Sequence, residues 1–205
     1  MGLIRMLGNR VWLLLSCAML CNSVAASTVA LETRPWPTEQ RCDSCVTIQF
    51  ITMEFKLPLH MIGRVLDTGG DGLHILPPSE APQQGVLLLA VPTAKLLGRY
   101  EQSGLLEGLD IKTNEQLFDA LGAAPGSNKS LTVLRRIEGI DTASRYYKVS
   151  RDSVHAYWIQ SPEPGGSQNI YVVINDDETV YLLSGDITQE FLDTVLSNLR
   201  VVELP

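Results

Sequence analysis

The apolar and polar positions of the chain divide it into a greasy start, an extended arm and a body of alternating strand and helix patterns. Residues 11–20 are almost uninterrupted apolar sequence, and 28–41 carry Pro35, Trp36 and Pro37, which suit an extended segment. From Val46 the apolar residues alternate through Ile48 and Phe50, then shift phase to Ile51, Met53, Phe55, Leu57 and Leu59. That phase shift predicts a bulge or bend between Phe50 and Ile51. Leu59, Ile62, Val65 and Leu66 fit a short helical face as well as a strand, so this stretch stays undecided. Asp67 to Gly72 reads Asp-Thr-Gly-Gly-Asp-Gly, a dense turn signal; Leu73 and Ile75 before Pro77-Pro78 then make a short strand. Continuous apolar sequence over 85–91, ended by Pro92, suits a strand buried on both faces.

Three helices follow in the pattern. One covers 94–102, with Thr93 as N-cap and Gly104 as stop. The second covers 114–121, where Thr113 and Gln116 form a capping box and Leu117, Phe118 and Leu121 share a face. After a small-residue linker at 123–128, the third covers 130–137 with Leu131, Leu134 and Ile137 on one side. Four strand patterns then occupy 146–149, 154–159, 170–174 and 179–183, separated by turn residues, and predict an antiparallel meander. A last helix over 189–199, capped by Asp186 or Thr188, places Phe191, Leu192, Val195, Leu196 and Leu199 on one stripe that needs a sheet to cover. The expected fold is α+β: an antiparallel or mixed sheet flanked by three to four helices and ending in strand, turn and helix.

Tyr181-Leu182-Leu183-Ser184-Gly185-Asp186, followed by a helix closing on Leu196-Ser197-Asn198-Leu199, resembles the end of PsbP-like domains. The resemblance covers about the last 60 residues and has no counterpart for 94–137. It implies a secreted or thylakoid-type accessory domain that binds a partner and catalyses nothing.

The compartment is read from the start. Arg5 and Arg10 precede the apolar run, and Val24-Ala25-Ala26 offers small or β-branched residues at a peptidase site. That is a secretory leader cleaved near Ala26, with an apolar core short for a membrane span. An uncleaved anchor is one alternative. A lipoprotein is another, since Leu14-Leu15-Ser16-Cys17 approaches a lipobox, but Leu15 is bulky for its position. On the favoured reading Cys17 and Cys21 leave with the leader. The divisions predicted are a signal peptide at 1–26, an extended arm at 27–45 and one α/β domain at 46–205. The product is periplasmic or secreted. Of the 205 residues, 16 are basic and 23 acidic, a formal charge of −7, two units more negative without Arg5 and Arg10. Such a surface gains little from phosphate backbones, so no nucleic-acid partner is expected. The expected partner is a protein or small molecule of unknown identity, with no stable membrane span after processing.

Candidate chemistry is sparse. Cys42-Asp43-Ser44-Cys45 holds the two cysteines left after the leader. In an oxidising compartment they form a local disulfide or a dithiol redox couple. A working dithiol sits at a helix N-terminus, whereas this motif precedes a strand pattern, so the structural disulfide is favoured. Asp67-Thr68-Gly69 after Val65-Leu66 matches the core of aspartic proteases, whose chemistry needs two such aspartates and hence a dimer of this chain. A hairpin tip explains the same residues. His60, His74 and His155 show no metal-ligand spacing, and neither Asp67/Asp71 nor Asp176-Asp177-Glu178 has the spacing of an EF-hand calcium loop. Asn128-Lys129-Ser130 is a glycosylation sequon, and neither a Gly-x-Ser-x-Gly nor a phosphate-binding glycine loop occurs. The expectation is an exported, non-catalytic accessory or binding protein without cofactor or metal. The alternatives are a dimeric aspartic protease centred on Asp67 and a dithiol oxidoreductase using Cys42 and Cys45.

Overall fold

Strands of the C-terminal third carry apolar side chains on both faces, and the fold supplies a cover for each. The computed structural model describes residues 29–39, 42–78, 85–123, 128–163, 166, 168–175 and 179–203. The segment 1–26 expected as a leader, with Cys17 and Cys21, and the Asp176-Asp177-Glu178 cluster lie outside the described residues. In chain order the elements are β1 (Leu31–Arg34), β2 (Cys45–Phe50), β3 (Met53–Pro58), a 3-10 turn (Leu59–Met61), β4 (Arg64–Asp67), β5 (Gly72–Leu76) and β6 (Val86–Pro92). Then come α1 (Thr93–Gln102), α2 (Asn114–Leu121), α3 (Lys129–Ile137), a 3-10 turn (Ile140–Thr142), β7 (Arg145–Arg151), β8 (Val154–Gln160), β9 (Gln168–Ile174), β10 (Thr179–Gly185), α4 (Gln189–Ser197) and β11 (Arg200–Val201).

The architecture is α+β. An eight-stranded sheet runs β1-β7-β8-β9-β10-β6-β5-β4, and a three-stranded sheet runs β11-β3-β2. Among the described residues only the β1–β7 pairing is parallel, with Leu31 opposite Tyr146. The meander β7 to β10 is antiparallel throughout, as its turn chemistry predicts. Two apolar clusters flank the large sheet. Val154, Ala156 and Trp158 of β8 pack with β2, β3 and α4, while Tyr157 and Ile159 pack with α1, α2 and α3. The strict two-residue period of the strand thus feeds both cores.

Local sequence explains most boundaries. Thr113 caps α2 and Gln116 reciprocates, completing the capping box. Thr188, not Asp186, caps α4 by accepting from the Phe191 amide at 3.1 Å. Asn128 accepts from the Ser130 and Leu131 amides and so caps α3. Several expectations are corrected. Thr93 is the first residue of α1, with Pro92 at the cap position. Phe50 and Ile51 are not a bulge but the end of β2 and the start of a two-residue reversal into β3, with Phe50 paired to Met53. Ile51 enters that turn at φ +55°, a costly conformation for a β-branched residue, and Tyr181 Oη holds the turn through Thr52 N at 3.2 Å and Thr52 Oγ1 at 2.5 Å. The undecided stretch becomes the 3-10 turn followed by β4. The stretch expected as an arm places Leu31–Arg34 in the large sheet as β1, and α4 stops at Ser197. Ile137, placed on one side of α3 with Leu131 and Leu134, is 55% exposed, while Arg135 is buried.

Candidate functional site

A concavity with an apolar floor lies where β5, β6, the 3-10 turn Leu59–Met61 and the start of α4 meet. It encloses about 210 Å³. Ile75, Val86 and Phe191, all buried, make its floor with Met61 and Pro77, and His60, Asp186, Thr188 and Glu190 stand at the rim. Each wall has a local cause. Pro77 ends β5. Pro58 ends β3 and turns the chain so that the Leu59 amide bonds Ser44 O at 3.1 Å, which sets His60 and Met61 over the opening. Gly185, at φ +137°, lets β10 pass against Gly85, since a Cβ there would collide with the Gly85 carbonyl. The chain then turns through Asp186 and Ile187 into the Thr188 cap.

The charge on this rim is unbalanced. Asp186 makes no hydrogen bond or ion pair with a described residue, and Glu190 has only His60, at 4.0 Å, with both side chains largely exposed. An apolar floor under two carboxylates accommodates an aliphatic stem ending in a cation. The volume is below that of ordinary drug-sized sites and matches one side chain. Both carboxylates also lie near the positive end of the α4 dipole, where they stabilise the helix.

A second convergence of ionisable groups sits where α2 crosses β7 and β8. Lys148 Nζ contacts Glu115 Oε1 at 2.9 Å and both Asp119 oxygens at 3.0 Å, and Tyr157 donates to Asp119 Oδ1 at 2.8 Å. His155 has Nδ1 2.9 Å from Ser150 Oγ and Nε2 3.1 Å from Asn175 Nδ2 and 3.3 Å from Glu115 Oε1. Serine, histidine and carboxylate thus stand in line. Asn175 Nδ2 also reaches Glu115 Oε2 at 3.4 Å, and a carboxylate only accepts, so the amide donates to it. At His155 Nε2 the Asn175 amide calls for an acceptor and the Glu115 carboxylate for a donor, so these two neighbours favour opposite tautomers. Burial holds the His155 pKa below that of a free imidazole, with Lys148 adding to the effect against the carboxylates. For Glu115, burial alone would raise the pKa, but the bond from Lys148 and the His155 and Lys148 charges bring it below the usual value. Lys148 is held above its usual value by the same carboxylates despite desolvation. The network is an electrostatic clamp between α2 and the sheet.

A third cluster is centred on a buried carboxylate, with Arg99 reaching in from the surface. Glu138, at the end of α3, accepts from Arg99 at 2.6 Å, from Tyr171 at 2.6 Å and from Tyr100. Desolvation and the Glu138 carboxylate push the Tyr171 hydroxyl far above its usual pKa. Sequence reasoning missed Glu115, Glu138 and Glu190 alike, because nothing in a one-dimensional pattern marks which carboxylate a strand will face. Asp186 was visible as a helix-cap candidate, not as a rim charge.

The residues singled out from sequence fall in separate places. Cys42 and Cys45 are disulfide-bonded, with Cα atoms 5.7 Å apart, at the entry to β2. Asp67 ends the exposed edge strand β4, and its Oδ1 accepts the Gly69 amide at 2.8 Å, so the carboxylate shapes a turn in which Gly69 and Gly70 take positive φ. His74 lies half-buried on β5, His60 is exposed on its 3-10 turn, and His155 is buried in the clamp. Among the described residues no three His, Cys, Asp or Glu side chains gather in a way that would hold a metal, and no helix is long and apolar enough to cross a membrane. No protein-family model matches the chain, and neither does any curated protein.

Proposed function

We propose that this chain is an exported, non-catalytic accessory domain that binds a protein partner, inserting a basic side chain of that partner into the pocket at the start of α4. The observation that carries the reading is the pairing of a buried apolar floor, Ile75, Val86 and Phe191, with the unpaired Asp186 carboxylate above it. Aliphatic contact supplies affinity, and the rim charge selects the cation. The acidic balance of the whole chain favours approach of a basic partner. The leader pattern and the Cys42–Cys45 bond support export. Within this reading the chain is a PsbP-like accessory domain, an assignment supported by the order of β10, the Gly185-Asp186 turn and α4.

The test is a peptide array in which Lys, Arg, norleucine and Glu are varied at one position of an otherwise neutral pentapeptide, probed with the mature chain. Binding should favour Lys or Arg at least tenfold over norleucine and fall by a similar factor in Asp186→Asn/Glu190→Gln. Equal binding of norleucine, or an unaffected double variant, overturns it. Casein cleavage abolished by Asp67→Asn, or insulin reduction abolished by Cys45→Ala, would instead establish an enzyme.

A further inference from the structure

The opposite end of α4 carries the inverse electrostatics. A polar pocket of about 130 Å³ is lined by Lys56, Arg151 and Arg200, with Ser197, Asn198, Leu199 and Glu39. Three elements deliver the cations: Lys56 from β3, Arg151 from the end of β7 and Arg200 from β11. Because Arg200 pairs with Glu54, Lys56 lies two residues along the same outward face of the small sheet. Arg151 is fixed, its guanidinium 4.6 Å from the Trp36 ring centroid and donating to Leu199 O. Lys56 and Arg200 have no described carboxylate within ion-pair distance, although Glu54 stands across the strand from Arg200 and Glu39 lines the pocket. Three cations against one lining carboxylate form a positive pocket in a chain whose formal charge is −7.

The cations have a structural use as well, since positive charge at a helix C-terminus stabilises the α4 dipole, and Arg151 serves it directly through Leu199 O. That use does not account for the enclosed polar volume the three cations line. We infer that this pocket is a binding site for one small oxyanion, a phosphoryl group or a carboxylate, held by Lys56 and Arg200 with Arg151 as the fixed wall. The volume admits a single such group. Guanidinium and ammonium donors satisfy its oxygens in the way charge-assisted hydrogen bonds do elsewhere.

The experiment titrates the mature chain with inorganic phosphate, sulfate and acetate, each against sodium chloride at matched ionic strength. Melting temperature and the Asn198 side-chain amide resonance are the readouts. Binding is expected to shift both saturably. The pair Lys56→Gln/Arg200→Gln, one half-buried and one exposed, should weaken phosphate at least tenfold without loss of fold, and Glu39→Gln should tighten it several-fold by removing the opposing charge. Lys95→Gln and Lys112→Gln, far-side controls of equal charge change, should leave affinity as it was. Preference for phosphate over acetate assigns a phosphoryl group, and the reverse assigns a carboxylate; either supports the site. Equal shifts with chloride, or identical affinity in the Lys56/Arg200 double variant, overturn it.

Discussion

Arg135 lies on the inner side of α3, 1% exposed. Its Nε donates to Asp141 Oδ1 at 3.0 Å, one terminal nitrogen donates to Val29 O at 2.7 Å, and the other reaches the carbonyls of Leu121 and Ala123 at the end of α2. Those carbonyls have no continuing helix to bond them, so one guanidinium satisfies acceptors from three segments. Arg135→Ala should destabilise the chain by about 3 kcal/mol in urea unfolding, because the Asp141 carboxylate and the carbonyls lose their donor. Arg135→Lys should recover only part of that, since an ammonium lacks the planar fork. The pattern Leu131, Leu134, Ile137 gave no hint of this residue. Periodicity weighs apolar side chains, whereas the burial of Arg135 is dictated by orphaned backbone acceptors elsewhere in the fold. The same limit hides Asn114, buried at the start of α2 with its Oδ1 unsatisfied.

Elements meet through two devices with opposite sensitivities, one electrostatic and one steric. Between α2 and the sheet, the Glu115–Lys148–His155 clamp ties stability to pH. His155 has a folded pKa below its unfolded value of about 6.5, so its contribution is complete above that pH and is lost as pH falls through the folded value. Glu115 is also depressed, so its contribution is complete above about 4.5 and is lost on further acidification. Lys148, raised, contributes fully below about 10.5 and loses its contribution in stronger base. The melting temperature should therefore be flat between about pH 7 and 9 and fall in two stages on acidification, the first below about pH 6.5 and the second below about pH 4.5. His155→Gln should remove the first stage and keep the second; a wild-type profile level from pH 7 to 5 would contradict the clamp. Between β10 and β6 the device is steric. Gly185→Ala forces a side chain against the Gly85 carbonyl at φ +137° and should lower stability by more than about 1 kcal/mol. It should also abolish binding at the α4 pocket, because Gly85 is part of its wall. Equal peptide binding in a folded Gly185→Ala variant would show that this close approach does not shape the pocket.

Across the whole molecule, the two-faced sheet explains why a chain with 6% aromatic residues still builds two cores. One gathers Trp158, Phe55 and Tyr181, and the other Phe118, Tyr157 and Tyr171, with Phe118 and Tyr171 ring centroids 4.6 Å apart. N- and C-terminal segments are joined by Trp36, which donates to Leu196 O at 3.0 Å beneath Arg151. The Cys42–Cys45 bond adds little to this closure, because it constrains only three intervening peptide steps. Cys42→Ser/Cys45→Ser should cost at most about 2 kcal/mol, measured by denaturant unfolding of residues 27–205. A larger loss would show that the bond also orders the approach to β2.

Most strand and helix positions, the capping box at Thr113, the β7–β10 meander and the α+β class follow from short windows of the amino-acid order, whereas β1 and β4 were decided by their pairing in the large sheet. The reason is that turn chemistry, helix caps and side-chain alternation act over a few residues. What only the tertiary structure decided is which polar groups meet: Asp186 with an apolar floor, Lys56 with Arg151 and Arg200, Glu115 with His155. Those encounters depend on strand order, on the Gly85–Gly185 approach and on which face each helix covers. Pairing between segments far apart in sequence is selected by the burial of the entire sheet, so the sites exist only once both of its faces are covered.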